Sequence, residues 1–349
     1  MEWNFTVQKL QLKRAFTISR QSSNFRETVR LSLTHKGVTG WGEAAPNPRH
    51  GEDVSMVTRI FEELRHYSFT SDPERTEAFL EESGRITGQV FSAQAAIDMA
   101  THDWYGKKIG RPLHEIWSIP ADKPLPVSMT ISIDSPKNSA ERALAASEFK
   151  ILKVKLGSAL DRENILSIRA VTDTPLWVDA NEGWENREEA LEMIRWLYGQ
   201  GVELVEQPLQ ADSREDLRWL KEKSPLPLIA DESFSGIQDL PGIEAGFHGI
   251  NIKLAKCGGL GPARNIIAEA RIKGLLIMLG SMVQSSCGIG AACQLAPLVD
   301  FVDLDCNLLL TNDPFEGHPV RDGLIYLNNL PGTGVNLKQI QESKIDRTV

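Results

Sequence analysis

Two hydrophobic patterns divide the chain. Up to about residue 120, alternating runs are mixed with helical ones; from Leu125 onward, short apolar runs of strand length alternate with amphipathic segments. In the first part Leu31-Ser-Leu-Thr alternates, Lys36-Gly37 supplies a turn, and Val38-Thr-Gly-Trp-Gly-Glu-Ala-Ala resumes a strand that Pro46 ends. That pattern predicts a small antiparallel sheet. Segment 14–27 is too polar and aperiodic for a buried element and reads as a mobile loop. A second polar loop, Asn47-Pro-Arg-His-Gly-Glu-Asp-Val, precedes a helix at about 53–66. Ser92 is the candidate cap of a further helix, with Gly110 and Pro112 beyond its end.

The second part predicts eight strands, at about 127–132, 150–155, 176–179, 202–206, 228–231, 249–253, 275–279 and 301–305. Helix signals fall between them. Pro136 sits at a first turn, a helix over 187–199 is closed by Gly201, and Asp212-Ser-Arg-Glu-Asp-Leu reads as a capping box. Eight parallel strands with intervening helices suit a closed barrel, and an open doubly wound sheet fits the same pattern. The expected domains are an α+β unit over 1–120, a barrel over 121–320, and a tail, 321–349, that packs back on the first unit.

Composition narrows the class. The chain has 349 residues, 41% hydrophobic and 24% charged, near globular averages. A net charge of −9 and the lack of a basic run with interleaved aromatics argue against a nucleic-acid partner. Cys257, Cys287, Cys293 and Cys306 form no Cys-x-x-Cys pair and read as reduced core residues. The N-terminal Met-Glu-Trp-Asn-Phe-Thr-Val lacks an apolar core of signal-peptide length, and no apolar run is long enough to span a membrane. A cytoplasmic protein without a membrane partner is expected, as is a homo-oligomer.

The strand ends carry the chemistry. Lys153 and Lys155 lie two apart, on one face of a strand, and open a charged series. From Lys155 it runs through Asp179, Glu206 and Asp231 to Lys253 in steps of 24, 27, 25 and 22 residues, then to Asp303 and Asp305. Barrel enzymes place their chemistry at such ends. Three unpaired carboxylates on successive strands would repel one another unless a cation sits among them, and an all-oxygen site suits Mg²⁺, or Mn²⁺, rather than zinc. Lys155 and Lys253, on the second and sixth strands, would then face each other across the mouth. A substrate carboxylate at the metal would place its α-carbon between two amines, one to remove the α-proton and the other to return it on the opposite face. A lysine base needs a lowered pKa, which burial, the dication and Lys153 would supply. The bland alternative pairs each acid and lysine with a neighbour on the rim.

Lys153-Val-Lys155, Asp179-Ala-Asn181, Glu206-Gln-Pro208, Asp231-Glu-Ser233 and Ile252-Lys253 followed by Gly258-Gly259 resemble the enolase superfamily, in its muconate lactonizing enzyme subgroup. Enolase-superfamily sites are a standing example of a lysine base beside Mg²⁺. The resemblance spans nearly the whole chain, Gly40-Trp-Gly-Glu-Ala included. It implies α/β architecture: a modified TIM barrel, (β/α)7β, with an N-terminal α+β capping domain whose loops close the site. Segments 14–27 and 47–54 would be those lids.

Asp303-Leu-Asp305 is similar to the pair that binds the substrate's α-ammonium group in dipeptide epimerases. Two acids on one strand face suit a cation, whatever the family. The implied substrate is a dipeptide, with Lys153, Thr130, Ser281 and Met282 also beside it and Asn181 and Gln284 behind. Gln284 replaces a Glu common in relatives, removing a charge near the amino-end subsite. Arg20, Arg26 and Arg49 in the lids could meet an acidic side chain, favouring Ala-Glu of cell-wall origin. The rivals are N-acylamino-acid racemisation, o-succinylbenzoate synthesis or muconate cycloisomerisation on the same site, and a non-catalytic carboxylate-binding barrel.

Overall fold

The structure, a computed structural model, describes residues 1–339. Three antiparallel strands, Glu2–Ile18, Gln21–His35 and Val38–Ala44, open the chain. Lys36 and Gly37 both adopt positive φ at the tight turn between the last two. Alternation turns Val29, Leu31 and Leu33 inward against Phe61 and Leu64 of helix Val54–His66 and Trp104 of helix Phe91–Ile109. Gly40 and Gly42 let that last helix lie directly on the sheet, because a Cβ at either would run into the carbonyl oxygens of Ala100 and Ala96.

Segment 14–27 is not a loop. Phe16↔Ser23, Thr17↔Ser22 and Ile18↔Gln21 pair, so the first two strands form a long hairpin whose tip is Ser19-Arg20. A register shift between Gln11 and Phe16 breaks the alternation, and the backbone ladder rather than a buried apolar face holds the arms together. Two caps also differ from expectation. Ser92 lies inside a helix that starts at Phe91, and its backbone N–H donates instead to the Glu52 carboxylate of the 47–54 loop at 3.3 Å. Helix Arg214–Lys223 starts without a side-chain cap bond at Ser213.

From residue 128 eight parallel strands follow in sequential order: Ser128–Ile131, Ile151–Lys155, Leu176–Asp179, Val202–Glu206, Leu228–Ala230, Gly249–Lys253, Leu276–Gly280 and Phe301–Asp303. The last packs against the first and nearly closes the barrel, which excludes the open sheet. Trp177, Leu204, Ile229 and Met278 cluster inside it. They lie two residues before Asp179, Glu206, Asp231 and Gly280 respectively, so period-2 alternation stacks this apolar plug directly beneath those positions. The eighth strand stops at Asp303, earlier than expected, and Asp305 enters a 3₁₀ turn, Cys306–Leu309.

The tail touches both halves. Leu324–Ile325 pairs with Leu125–Pro126, Asn336–Leu337 pairs with Phe315–Glu316, and Gly332 bridges to Pro112. The rest of the expected tail, 340–349, lies outside the described residues. All four cysteines are buried and free. Among the described residues no helix is long and apolar enough to cross a membrane.

Candidate active site

Strand register sets the site. Lys155 is opposite Asp179, Asp179 is opposite Glu206, and Asp231 follows the end of the fifth strand, so the three acids share one level at the barrel mouth. They are buried, and one carboxylate oxygen from each lies within 4.8 Å of the others. With eight strands in the ring, Lys155 on the second and Lys253 on the sixth are diametrically placed, with the acids on the arc between them.

The acids are not unpaired, as the sequence suggested, because lysines interleave with them. Lys155 Nζ donates to Asp179 Oδ2 at 2.5 Å, and Lys253 Nζ donates to Asp231 Oδ2 at 2.8 Å. Lys153 lies among three carboxylates: it donates to Asp303 Oδ2 at 2.6 Å, sits 2.6 Å from Glu206 Oε2, and is 3.6 Å from Asp179. Burial pushes the Lys153 ammonium down, but Asp303, Glu206 and Asp179 together hold it well above its ordinary range. Burial likewise lowers Lys253, and Asp231 and Glu206 outweigh it. Among the protein's own groups the expected depression at Lys253 is therefore absent. Burial, then repulsion from Asp179, pushes the Glu206 carboxyl up to about 7.

The donor set fits a hard divalent cation. It is all carboxylate oxygen, and Glu206 Oε2, although in charge contact with Lys153, has no hydrogen-bond donor in register. Of the three acids' oxygens it is the one without such a donor.

Above the acids lies a cavity of about 880 Å³ between barrel and sheet. Lys155, Lys253, Asp231, Asp303, Asp305, Thr130, Ser281, Met282, Asn181, Arg20 and Arg26 all line it, so the fold brings most of the candidate residues together. Four do not line it, and of these Asp179 and Glu206 are the two fully buried acids that cluster with Asp231. Lys153 is completely buried beneath the cavity, and Gln284 is buried with its Nε2 on the Glu43 carbonyl, 3.4 Å away, in the first sheet. Gln284 thus lies at the interface between the halves and not among the residues that line the cavity. Asp303 accepts from Ser128 Oγ at 2.8 Å, and Asp305 from Thr130 N–H at 2.6 Å; these donors are alternate residues of the first strand.

The lid arginines differ. Arg20 donates to the Asn181 carbonyl (2.6 Å), Glu182 (2.9 Å) and Glu232 (2.6 Å), and Arg49 donates to Glu182 at 2.7 Å. Both lids therefore latch onto one buried carboxylate just past the third strand. Arg26 donates to the Phe25 carbonyl and, among the described residues, pairs with no carboxylate. The sequence reading missed Glu182 and Glu232, although each directly follows a candidate residue. It also missed Asn251, whose Nδ2 donates to Glu206 Oε1 at 2.8 Å, and left Lys256 unassigned.

Family models match both halves: "Mandelate racemase / muconate lactonizing enzyme, N-terminal domain" over residues 3–117 and "Enolase C-terminal domain-like" over 137–341. The chain belongs to the enolase superfamily. Within it, the chain is 41% identical to the L-Ala-D/L-Glu epimerase of Bacteroides thetaiotaomicron, covering 96% of this chain and 88% of that one. It is 38% identical to an L-Ala-D/L-amino acid epimerase of Maribacter sp., covering 95% and 97%. Among solved structures, the dipeptide epimerase of Cytophaga hutchinsonii complexed with Mg and D-Ala-L-Val superposes with a TM-score of 0.91 at 25% identity, covering 97% and 96%. A substrate-liganded L-Ala-D/L-Glu epimerase of Bacillus subtilis gives 0.89 at 29%, covering 96% and 98%.

Proposed function

We propose that this protein is a Mg²⁺-dependent dipeptide epimerase that inverts the α-carbon of the dipeptide's C-terminal residue. The observation that carries the reading is the placement of Lys155 and Lys253 on opposite sides of one cavity that Asp231 also lines, with buried Asp179 and Glu206 clustered against Asp231. The relatives' dipeptide substrates support it. Asp179, Glu206 and Asp231 would hold the metal. The chemistry supplied by bound Mg²⁺ is neutralisation of those acids, which loosens their grip on the lysine protons, and stabilisation of negative charge developing on the substrate carboxylate.

The chain's own groups do the rest. One lysine, neutral, takes the α-proton; the other, protonated, delivers a proton to the opposite face; the pair is then ready for the reverse direction. Asp303 and Asp305 line the cavity at and just past the end of the eighth strand, where a substrate ammonium would fit. Asp303 is already paired with Lys153, so Asp305 is the stronger candidate partner for it. Lys153 acts from below, holding Glu206 and Asp303 in place. The Arg20 and Arg49 latch to Glu182 would close the lids and exclude water, which leaves Arg26 to meet an acidic side chain. An L-Ala-L-Glu substrate follows from that guanidinium, which pairs with no carboxylate among the described residues, and turnover of cell-wall peptides in the cytoplasm is the corresponding role.

The test is α-proton exchange in D₂O with Mg²⁺ and a mixed L,L-dipeptide library, followed by NMR. Deuterium entering the C-terminal α-position, with Ala-Glu among the fastest, is expected. Exchange of N-acyl amino acids but no dipeptide would move the protein to the racemase reading, and no exchange at all would leave a binding protein.

A further inference from the structure

Lys256 has no part in the reaction described above, yet its ammonium group is buried next to it. It is 4% exposed and does not line the cavity. It donates to Asp231 Oδ1 at 2.7 Å, to the Asp231 carbonyl at 2.7 Å and to the Phe234 carbonyl at 2.6 Å. An ammonium has three N–H donors and no acceptor, so all its capacity is taken up by the loop that carries Asp231. Lys256 cannot reach a substrate.

Its role appears when the three metal-site acids are compared. Each has one oxygen tied by a donor other than a catalytic lysine. Asp179 Oδ1 accepts from the Asn181 backbone N–H at 2.9 Å, and Glu206 Oε1 accepts from Asn251 Nδ2 at 2.8 Å. Asp231 Oδ1 is tied by Lys256, the one charged member of the three. Its Oδ2 is thereby turned toward Lys253, 2.8 Å away. Groups that orient metal ligands in this way commonly change metal affinity or activity by about 10–100-fold when removed.

The position of Lys256 is itself fixed from behind. It sits on a helical turn, Leu254–Cys257, that begins where the sixth strand ends and is closed by Gly258 at φ 94. Gly258 and Gly259 pass so close to helix Phe91–Ile109 that a Cβ on Gly258 would lie 3.0 Å from Gln94, and one on Gly259 would run into Asp98. Asp98 accepts from the Leu260 N–H at 2.6 Å and locks the turn to that helix. Helix, glycine turn, Lys256, Asp231 and Lys253 are thus one continuous line of contacts.

We infer that Lys256 is a positioning residue: it clamps Asp231 so that one carboxylate serves both the metal site and the Lys253 face. This rests on the two-lysine reading above. The clamp acts on one face only, and that asymmetry provides the test. Lys155→Ala, which leaves only the Lys253-dependent exchange, identifies the substrate epimer that reports on that face. With that assignment, α-proton exchange of the two epimers is measured separately in Lys256→Met and in Lys256→Gln, which keeps two N–H donors without the charge. Mg²⁺ affinity of each variant is measured by calorimetric titration.

In Lys256→Met the Lys253-side exchange is expected to fall by about 10–100-fold more than the Lys155-side exchange, and Mg²⁺ binding to weaken by about tenfold or more, with partial recovery in Lys256→Gln. Equal loss on both faces, or unchanged Mg²⁺ affinity and exchange, overturns the proposal. So does loss of the fold in both variants, which would make Lys256 a purely structural residue. If the wild-type protein exchanges no dipeptide, the epimerase reading falls, and the Mg²⁺ titrations still decide whether Lys256 positions Asp231.

Discussion

Lys155 and Lys253 each pair with one metal-site carboxylate, and behind each carboxylate stands a second buried lysine, Lys153 behind Asp179 and Lys256 behind Asp231. The two arrangements are built differently. Lys153 shares a strand with Lys155 and spends its strongest contacts on Glu206 and Asp303, reaching Asp179 only at 3.6 Å. Lys256 lies past the strand end and holds Asp231 directly at 2.7 Å. The Lys155 face is therefore fixed from inside the barrel, and the Lys253 face from the turn that rests on the first domain's helix. Buried charges without partners cost several kcal/mol, so each extra lysine is tolerable only because an acid meets it.

The largest expected effects come from removing the bases. Lys155→Ala and Lys253→Ala should each lower epimerisation by about 10³-fold or more while sparing α-proton exchange of one substrate epimer, a different one in each variant. If either variant loses both exchanges, the two faces are not independent. Chelation with EDTA should abolish both exchanges together and lower the melting temperature, with recovery on adding Mg²⁺, since a ligand bound only by the folded state stabilises it.

Smaller effects sharpen the contrast at the eighth strand. Asp303→Asn removes a partner of Lys153 and should destabilise the fold by about 3–5 kcal/mol, read as a lowered denaturation midpoint. Asp305→Asn, which breaks no ion pair, should instead raise KM for dipeptides by about 10–100-fold and leave N-acyl substrates unchanged. Burial, then Asp303, raises the Asp305 carboxyl to about 6. A raised acid favours the folded state when protonated, so ionisation costs stability as pH rises through about 6, whereas ammonium binding needs the ionised form. Dipeptide KM should accordingly fall as pH rises through that value, and a flat KM profile would remove Asp305 from the subsite. The smallest effect is in the lid. Arg26→Ala should raise KM for Ala-Glu about tenfold relative to Ala-Ala, whereas Arg20→Ala, by releasing Glu182 and Glu232, should affect both substrates alike.

The barrel was readable because its strands are short apolar runs ended by charge, a period that recurs from Lys155 to Lys253. The hairpin at 14–27 was not, because its arms are polar on an exposed face and their pairing depends on backbone bonds that leave no periodic trace across the Gln11–Phe16 irregularity. Lys153 was read as a substrate ligand since alternation aligns it with Lys155. Only depth distinguishes them: one turn of the pleat lower, Lys153 lies beneath the cavity floor. Lys256 went unassigned for the opposite reason, since its spacing of three from Lys253 crosses from strand to helix, where neither period applies.

By itself the sequence determined the strand ends, and with them which acids and lysines share the mouth, because side-chain direction along a strand is set by local geometry alone. The tertiary structure decided which of those charges pair, which face the cavity, and which arginines are already held by the latch. Those outcomes depend on distances between residues far apart in the chain, and between like-charged groups a difference of one or two ångströms in burial or reach separates a base from a brace.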